Sequence, residues 1–254
     1  MNGTLVVKQA EEQVGFVFIH GAGLNGEVWA RVAEGLDSPY LLVDYPGGGN
    51  SGSGDPRSAR RHLALQDYIA HMNGQIAAWD VRKFVIVAHS LGGALALRVA
   101  AAWPDRLVGF AAIGAVIPRR GGSFLSTMPF PKRVLLGAAL RLAGTKPPEA
   151  AIRQGLCNDL SPEQAAAVVS GFVPESVAVY TEPVGALAPD VPKLYVKLEQ
   201  DRELPLSEQE RMASNLDAHY TERLDAGHLP MLSRPGELRL VLDAFLTRVR
   251  EDLS

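Results

Sequence analysis

Residues 84–93 read FVIVAHSLGG and run straight into ALALRVAAAW. The β-branched apolar residues over 84–87 predict a buried strand, and the small, helix-favouring residues from Ala94 predict a helix. Only a sharp turn at His89-Ser90-Leu91 separates the two. Such a turn holds its central residue in a strained backbone conformation and closes only where its flanks are small, as Ala88 and Gly92 are. The fold must therefore carry a serine hydroxyl past the edge of a sheet, with the first amides of a helix directed the same way. An unassisted serine is a weak nucleophile, so the turn gains chemical meaning only if a base and oxyanion donors come from elsewhere in the chain.

The remaining sequence repeats the same alternation. Apolar runs at 14–19, 40–43, 108–116 and 194–198 read as further buried strands. Helical spacing appears at 29–36, 61–79, 94–103, 207–215 and 235–250, with Pro235 suited to a first turn. This β–α rhythm predicts an α/β fold with a mainly parallel central sheet flanked by helices. At 254 residues one large domain is expected. The 117–189 segment breaks the rhythm: it is rich in Gly, Pro and Ala, with helical pieces at 132–143 and 162–170. Inserted after a strand, it is expected to form a helical lid over the strand ends, leaving 1–116 and 190–254 as the core.

Composition removes several function classes. A formal charge of −3 and a pI near 6.1 give no overall basic excess for nucleic acid or an anionic membrane. The single cysteine, Cys157, excludes an intrachain disulfide and a cysteine metal cluster, and fits a reducing compartment. The opening MNGTLVVKQAEEQ has no basic stretch followed by a long apolar core, and no window approaches about 18 uninterrupted apolar residues. A cytoplasmic protein without membrane insertion is the expectation. Oligomeric state is left open.

Three more features converge on the serine. His20-Gly21-Ala22-Gly23 follows the 14–19 strand, where glycines let the backbone turn and present NH groups. The Ala22 amide and the Leu91 amide, at the start of the helix after Ser90, are the candidate oxyanion donors. His228 lies in DAGHLP after a short strand-like run at 220–224, and its imidazole suits proton transfer near neutral pH. Asp201 lies just past the 194–198 strand and could fix the tautomer of that imidazole, with Glu199 and Glu203 as competing carboxylates. The chain order is Ser, then Asp, then His, which is neither the chymotrypsin nor the subtilisin order.

With these elements in register, and with Asp44-Tyr45-Pro46-Gly47-Gly48-Gly49-Asn50-Ser51 matching a D-x-P-G-x-G-x-S loop, the chain resembles the α/β-hydrolases. The likeness spans almost everything outside 117–189. It implies that the Asp44 loop is structural, and Ala88 departs from the family's usual first glycine only by a methyl group. LYVKLEQDRELP, ERM and DAGHLPMLSRP are similar to the branch of plant methyl esterases, hydroxynitrile lyases and bacterial esterase relatives. The lyases carry a lysine close after the catalytic histidine and a threonine after the histidine of the oxyanion loop. Here those neighbourhoods read His228-Leu229-Pro230-Met231 and His20-Gly21-Ala22-Gly23, so the resemblance implies ester hydrolysis.

The expectation is thus a serine esterase acting on a small or medium hydrophobic ester through an acyl enzyme, with no cofactor and no metal. Gly23, Phe124, Met128, Phe130, Phe172 and Leu229 are candidates for the substrate pocket. The same triad would serve a lactonase, a C–C bond hydrolase or a cofactor-free lyase, and the fold can also carry a ligand-binding receptor or pseudoenzyme. Residues 158–163, NDLSPE, resemble bacterial members without indicating a substrate. His89 is expected to pack or hydrogen bond locally, and His62, His71 and His219 have no partner at telling spacing. Arg57, Arg60 and Arg61 read as a solvated helix start. Trp29, Trp79 and Trp103 read as core anchors.

Overall fold

Five apolar runs and the polar-alternating YTERL assemble into one sheet in which all five strand pairings are parallel, in the order β2-β1-β3-β4-β5-β6. The computed structural model describes residues 13–47 and 60–253. β1 (Val14–Ile19) leads through a 3-10 turn (Gly26–Trp29) and α1 (Ala30–Ala33) to β2 (Tyr40–Val43). Next come α2 (Leu65–Ala77), β3 (Lys83–His89), α3 (Leu91–Ala100) and β4 (Leu107–Ile113). A 3-10 turn (Leu125–Thr127), α4 (Phe130–Ala143), α5 (Glu149–Gln154), α6 (Pro162–Gly171) and α7 (Ala178–Thr181) occupy the 117–189 segment. β5 (Lys193–Leu198), α8 (Leu206–Leu216), β6 (Tyr220–Leu224), α9 (Pro230–Ser233) and α10 (Pro235–Leu253) complete the fold. The expected α/β architecture is borne out.

Continuous apolarity has its physical cause in burial on both faces. Along β3, Phe84, Ile86 and Ala88 enter one core, and Val85 and Val87 enter the other. The first core is closed by α2, α3 and α8, the second by α1 and α10. On α10, Leu238, Leu242, Phe245, Leu246 and Val249 make the buried stripe, at helical spacing. No helix among the described residues is long and apolar enough to cross a membrane.

Boundaries differ from expectation where side chains intervene. The second helix starts at Leu65 rather than 61, because the Asp67 carboxylate accepts the Ala64 amide at 2.8 Å and sets the first turn there. The fourth strand stops at Ile113, where Gly114 turns with φ +47°. The third helix begins at Leu91, directly after the serine, so the turn has no spacer. α5 and α7 are short helices that the spacing does not foretell.

Arg60 corrects the reading of a solvated basic cluster. Its side chain is 1% exposed and its Nη1 lies 2.7 Å from Glu175 Oε1, whose side chain is fully buried. Nε of Arg60 donates to the Pro46 carbonyl at 2.6 Å, and the Tyr68 hydroxyl donates to Glu175 Oε2 at 3.0 Å. Burial pushes the Glu175 carboxyl up, while Arg60, Tyr68 and the Gly23 amide pull it back. Glu175 thereby fastens the 117–189 segment to the sheet-bearing body of the chain. Arg61 is exposed as expected, and Arg57 lies outside the described residues.

Removing one member of a buried pair leaves an uncompensated charge, at a cost of about 3–5 kcal/mol. Glu175→Leu should lower the free energy of unfolding in urea by that much, through a lower midpoint at unchanged slope, and Arg60→Met added to it should recover at least half of the loss. A single variant as stable as the parent would contradict the buried-pair description.

Candidate active site

The loops after β1, β3, β5 and β6 leave the same edge of the sheet, because parallel strands all end on one side. β1 is flanked by β2 and β3, so the chain reverses its direction of travel across the sheet there, and the resulting crevice holds His20 and Ser90.

Ser90 sits between β3 and α3 with φ 52° and ψ −126°, a conformation that side chains rarely adopt. Its carbonyl accepts from the Gly93 amide at 3.0 Å and from the Val116 amide at 2.9 Å, which pins the turn. Val116 is itself steadied where the Tyr195 hydroxyl donates to the Ala115 carbonyl at 2.8 Å. Small neighbours are a packing requirement. A Cβ on Gly92 would collide with the His20 carbonyl oxygen, and one on Gly21 would lie 2.9 Å from Ser90 Cβ.

His228 Nε2 stands 3.0 Å from Ser90 Oγ, and His228 Nδ1 stands 2.8 Å from Asp201 Oδ2. The other Asp201 oxygen accepts the amides of Glu203 at 2.8 Å and Leu204 at 3.0 Å, so the carboxylate is fixed in its loop. Burial works against charge on His228, but the Asp201 carboxylate, with Glu203 and Asp159 behind it, outweighs burial and raises its pKa above the ordinary value. Glu199 turns away to Arg223 at 3.4 Å, and Glu203 lines the neighbouring cavity without bonding the imidazole. Asp44 is a brace: its Oδ1 accepts the Gly26 amide at 2.7 Å, and its backbone is bracketed by Gln75. Gly48 to Ser51 of that loop lie outside the described residues.

Ala22 and Leu91 both line the cavity beside Ser90. Neither of their amides has an acceptor among the described residues. Leu91 is the first residue of α3, so its amide also carries the positive end of the helix dipole. His20 is buried, donates from Nδ1 to the Gly21 carbonyl at 2.8 Å, and is held down to a pKa of about 4 by burial.

Four residues to which the sequence assigns no part in the site complete the surroundings. His89, expected to bond locally, instead places Nε2 2.8 Å from the His228 carbonyl, 139 positions away, and burial keeps its pKa well below the usual histidine value. Gln209 is fully buried, accepts the Leu198 amide, and donates to the Leu198 and Leu204 carbonyls at either end of the Asp201 loop. Asp159, within the NDLSPE run, accepts the Gly227 amide at 2.6 Å, and Asn158 donates to the Gln200 carbonyl at 2.9 Å. That run buttresses the loops of His228 and Asp201.

A cavity of about 360 Å³ opens above Ser90. Phe124, Met128 and Phe172 line it as expected, joined by Leu136, Leu140, Ile152, Leu156 and Tyr180 from the 117–189 segment. Three expected wall residues do not belong to it. Phe130 is 68% exposed at the start of α4, with the Arg133 guanidinium over its ring. Leu229 is fully buried in the second core, beneath the loop of His228. Gly23 lies under Phe172 with φ +78°, and its amide donates to Glu175 Oε1 at 3.3 Å.

A sequence profile described as "Alpha/beta hydrolase family" matches residues 16–239. The chain belongs to that family. Among curated relatives, the chain is 35% identical over 107 residues to Esterase Rv0045c of Mycobacterium tuberculosis, covering 40% of this chain and 33% of the relative. It is 32% identical over 101 residues to the pimeloyl-acyl-carrier-protein methyl ester esterase of Edwardsiella ictaluri, covering 39% of this chain and 35% of the relative. The chain thus spans about a third of the length of these relatives. Solved structures with the same fold include an extracellular alpha/beta-hydrolase from a Paenibacillus species, described as homologous in structure and function to tobacco Salicylic Acid Binding Protein 2. It has a TM-score of 0.78 at 20% identity, over 91% of this chain and 98% of that one. The Arabidopsis methylesterase MES16 has a TM-score of 0.73 at 18% identity, over 92% and 99%.

The clash at Gly92 is with backbone, which cannot move aside cheaply. Gly92→Ala should cost about 1–3 kcal/mol in urea unfolding through overpacking. Gly74→Ala, in α2 with nothing within 4 Å of the added Cβ, is the control and should be neutral or stabilising. Equal effects at the two glycines would count against the tight β1–α3 approach.

Proposed function

We propose that this hydrolase is a serine carboxylic-ester hydrolase of small or medium hydrophobic esters, working through an acyl enzyme. The observation that carries the reading is the series Asp201–His228–Ser90, with hydrogen bonds of 2.8 and 3.0 Å, at the base of an apolar cavity. In this reading Ser90 Oγ attacks the ester carbonyl while His228 Nε2 takes its proton, and Asp201 holds the Nδ1–H tautomer and stabilises the imidazolium. The Ala22 and Leu91 amides receive the oxyanion. His228 then protonates the leaving alcohol, and water, activated by the same nitrogen, releases the acid and restores Ser90. All protons pass through one imidazole, so the cycle balances without a cofactor.

The 117–189 segment acts as the lid and supplies most of the acyl or aryl pocket. The names of the esterase relatives agree with this chemistry. Lys132, the one lysine on the cavity wall, stands exposed on α4 and shares the wall with Glu203 and Glu208. That is a solvated setting, unlike the fixed cation a departing cyanide would need. The lone buried thiol of Cys157 suits a reducing cytoplasm.

Ser90→Ala should fold like the parent yet lose several orders of magnitude in turnover of a p-nitrophenyl ester, and it should no longer be labelled by a fluorophosphonate. Retained turnover would remove Ser90 from the nucleophile's role. A neutral His228 is required to accept the proton, so kcat/KM should rise with pH through an apparent pKa above the ordinary histidine value of about 6.5. Asp201→Asn should move that limb downward and cut kcat by about 10⁴-fold, while Glu199→Gln should leave both nearly unchanged. The reverse pattern would exchange the two carboxylates.

A further inference from the structure

α4 is apolar on both sides, yet it lies at the surface. Gly137 and Leu140 are buried, and Leu136 and Leu140 face the cavity. At 100° per residue the opposite side carries Val134, Ala138, Leu142 and Leu135, all exposed, with Leu135 at 73% and Leu142 at 89%. No polar residue interrupts that stripe. Exposed cations border it, Arg141 on one edge and Lys132 on the other. A helix with apolar residues on its outer as well as its buried side is normally covered, and exposed apolar patches of this kind mark an interaction surface.

The charge around the stripe selects what covers it. Between residues 117 and 148 the chain has six cations, Arg119, Arg120, Lys132, Arg133, Arg141 and Lys146, and no Asp or Glu, although the whole chain is at −3. None of the six is ion-paired among the described residues. The overall charge therefore conceals a cationic segment. A second copy meeting through α4 about a twofold axis would bring two such segments together, and like charges oppose that. An apolar stripe with cations on its borders instead matches a helix lying in the plane of a bilayer surface, with its long basic side chains reaching the headgroups.

We propose that α4 docks this protein, without spanning, on an anionic lipid surface. Fourteen helical residues give a contact about 21 Å long. The other side of the same helix is cavity wall, so docking holds the cavity at the layer where lipophilic esters collect. The binding step itself needs no turnover and stands apart from the esterase reading.

Flotation of the full chain with phosphatidylcholine vesicles, with and without about one third phosphatidylglycerol, tests this. Binding should be on the order of tenfold stronger to the anionic vesicles and should vanish in high salt. Leu135→Glu with Leu142→Glu should abolish binding while hydrolysis of a water-soluble p-nitrophenyl ester stays within about twofold, since neither residue lines the cavity. Arg120→Gln with Arg141→Gln should weaken binding to anionic vesicles only. Absence of flotation, or equal flotation with neutral vesicles, would overturn the proposal. So would a dimer in light scattering that the two glutamates dissociate, or binding to an acidic carrier protein in place of vesicles.

Discussion

Ser90 is held in a backbone conformation that costs on the order of 1–3 kcal/mol for a residue with a side chain, and the neighbouring structure exists in a form that sustains it. Its carbonyl is gripped by two amides, one from its own helix and one from the loop after β4. Glycines on either side let the end of β1 approach within contact of α3. The strain is therefore distributed over three adjacent strands of a sheet buried on both faces, and none of them can relax alone. Every distance at the site is measured from the hydroxyl so placed. An error of about 1 Å there is enough to cost two orders of magnitude in a reaction that depends on alignment.

Around that fixed point, three buried histidines meet different fates from one starting chemistry. Burial, with Arg60 adding to it, drives His20 to about 4. Burial, and then the nearness of His228, keeps His89 well below its ordinary value, which suits a neutral ring that only donates to a carbonyl. His228 is as deeply buried, but it faces Asp201, and the carboxylate reverses the sign of the shift. The directly bonded Asp201 carboxylate, with Glu203 and Asp159 behind it, thus sets His228 apart from the two imidazoles held neutral. The backbone amides on the second oxygen of Asp201 are what keep that carboxylate turned to its partner.

The sheet was legible because strands buried on both faces leave unbroken apolar runs, and His20, Ser90, Asp201 and His228 were legible because each ends or follows such a run. Chain order was enough to single out three side chains that hydrogen bond in series. What escaped reading was set by partners far away in sequence. Arg60 looks solvated until Glu175, 115 positions on, accounts for its burial. His89 looks local until it meets the carbonyl of His228. Gln209 has an ordinary place on an amphipathic helix, and only the folded loop shows its three hydrogen bonds. Phe130 was expected inward because aromatic residues usually are, but it opens α4 and stands 68% exposed at that end.

The Arg60–Glu175 pair bears on how molecules reach Ser90. Lifting the 117–189 segment away as a rigid flap would pull opposite charges apart in an apolar interior, which costs several kcal/mol and also frees the Gly23 amide and the Tyr68 hydroxyl. The rim where Lys132 and Glu203 stand exposed gives a way to the cavity that needs no such separation. With the segment held down in this way, the width of that rim would act as a filter on size separate from the shape of the pocket.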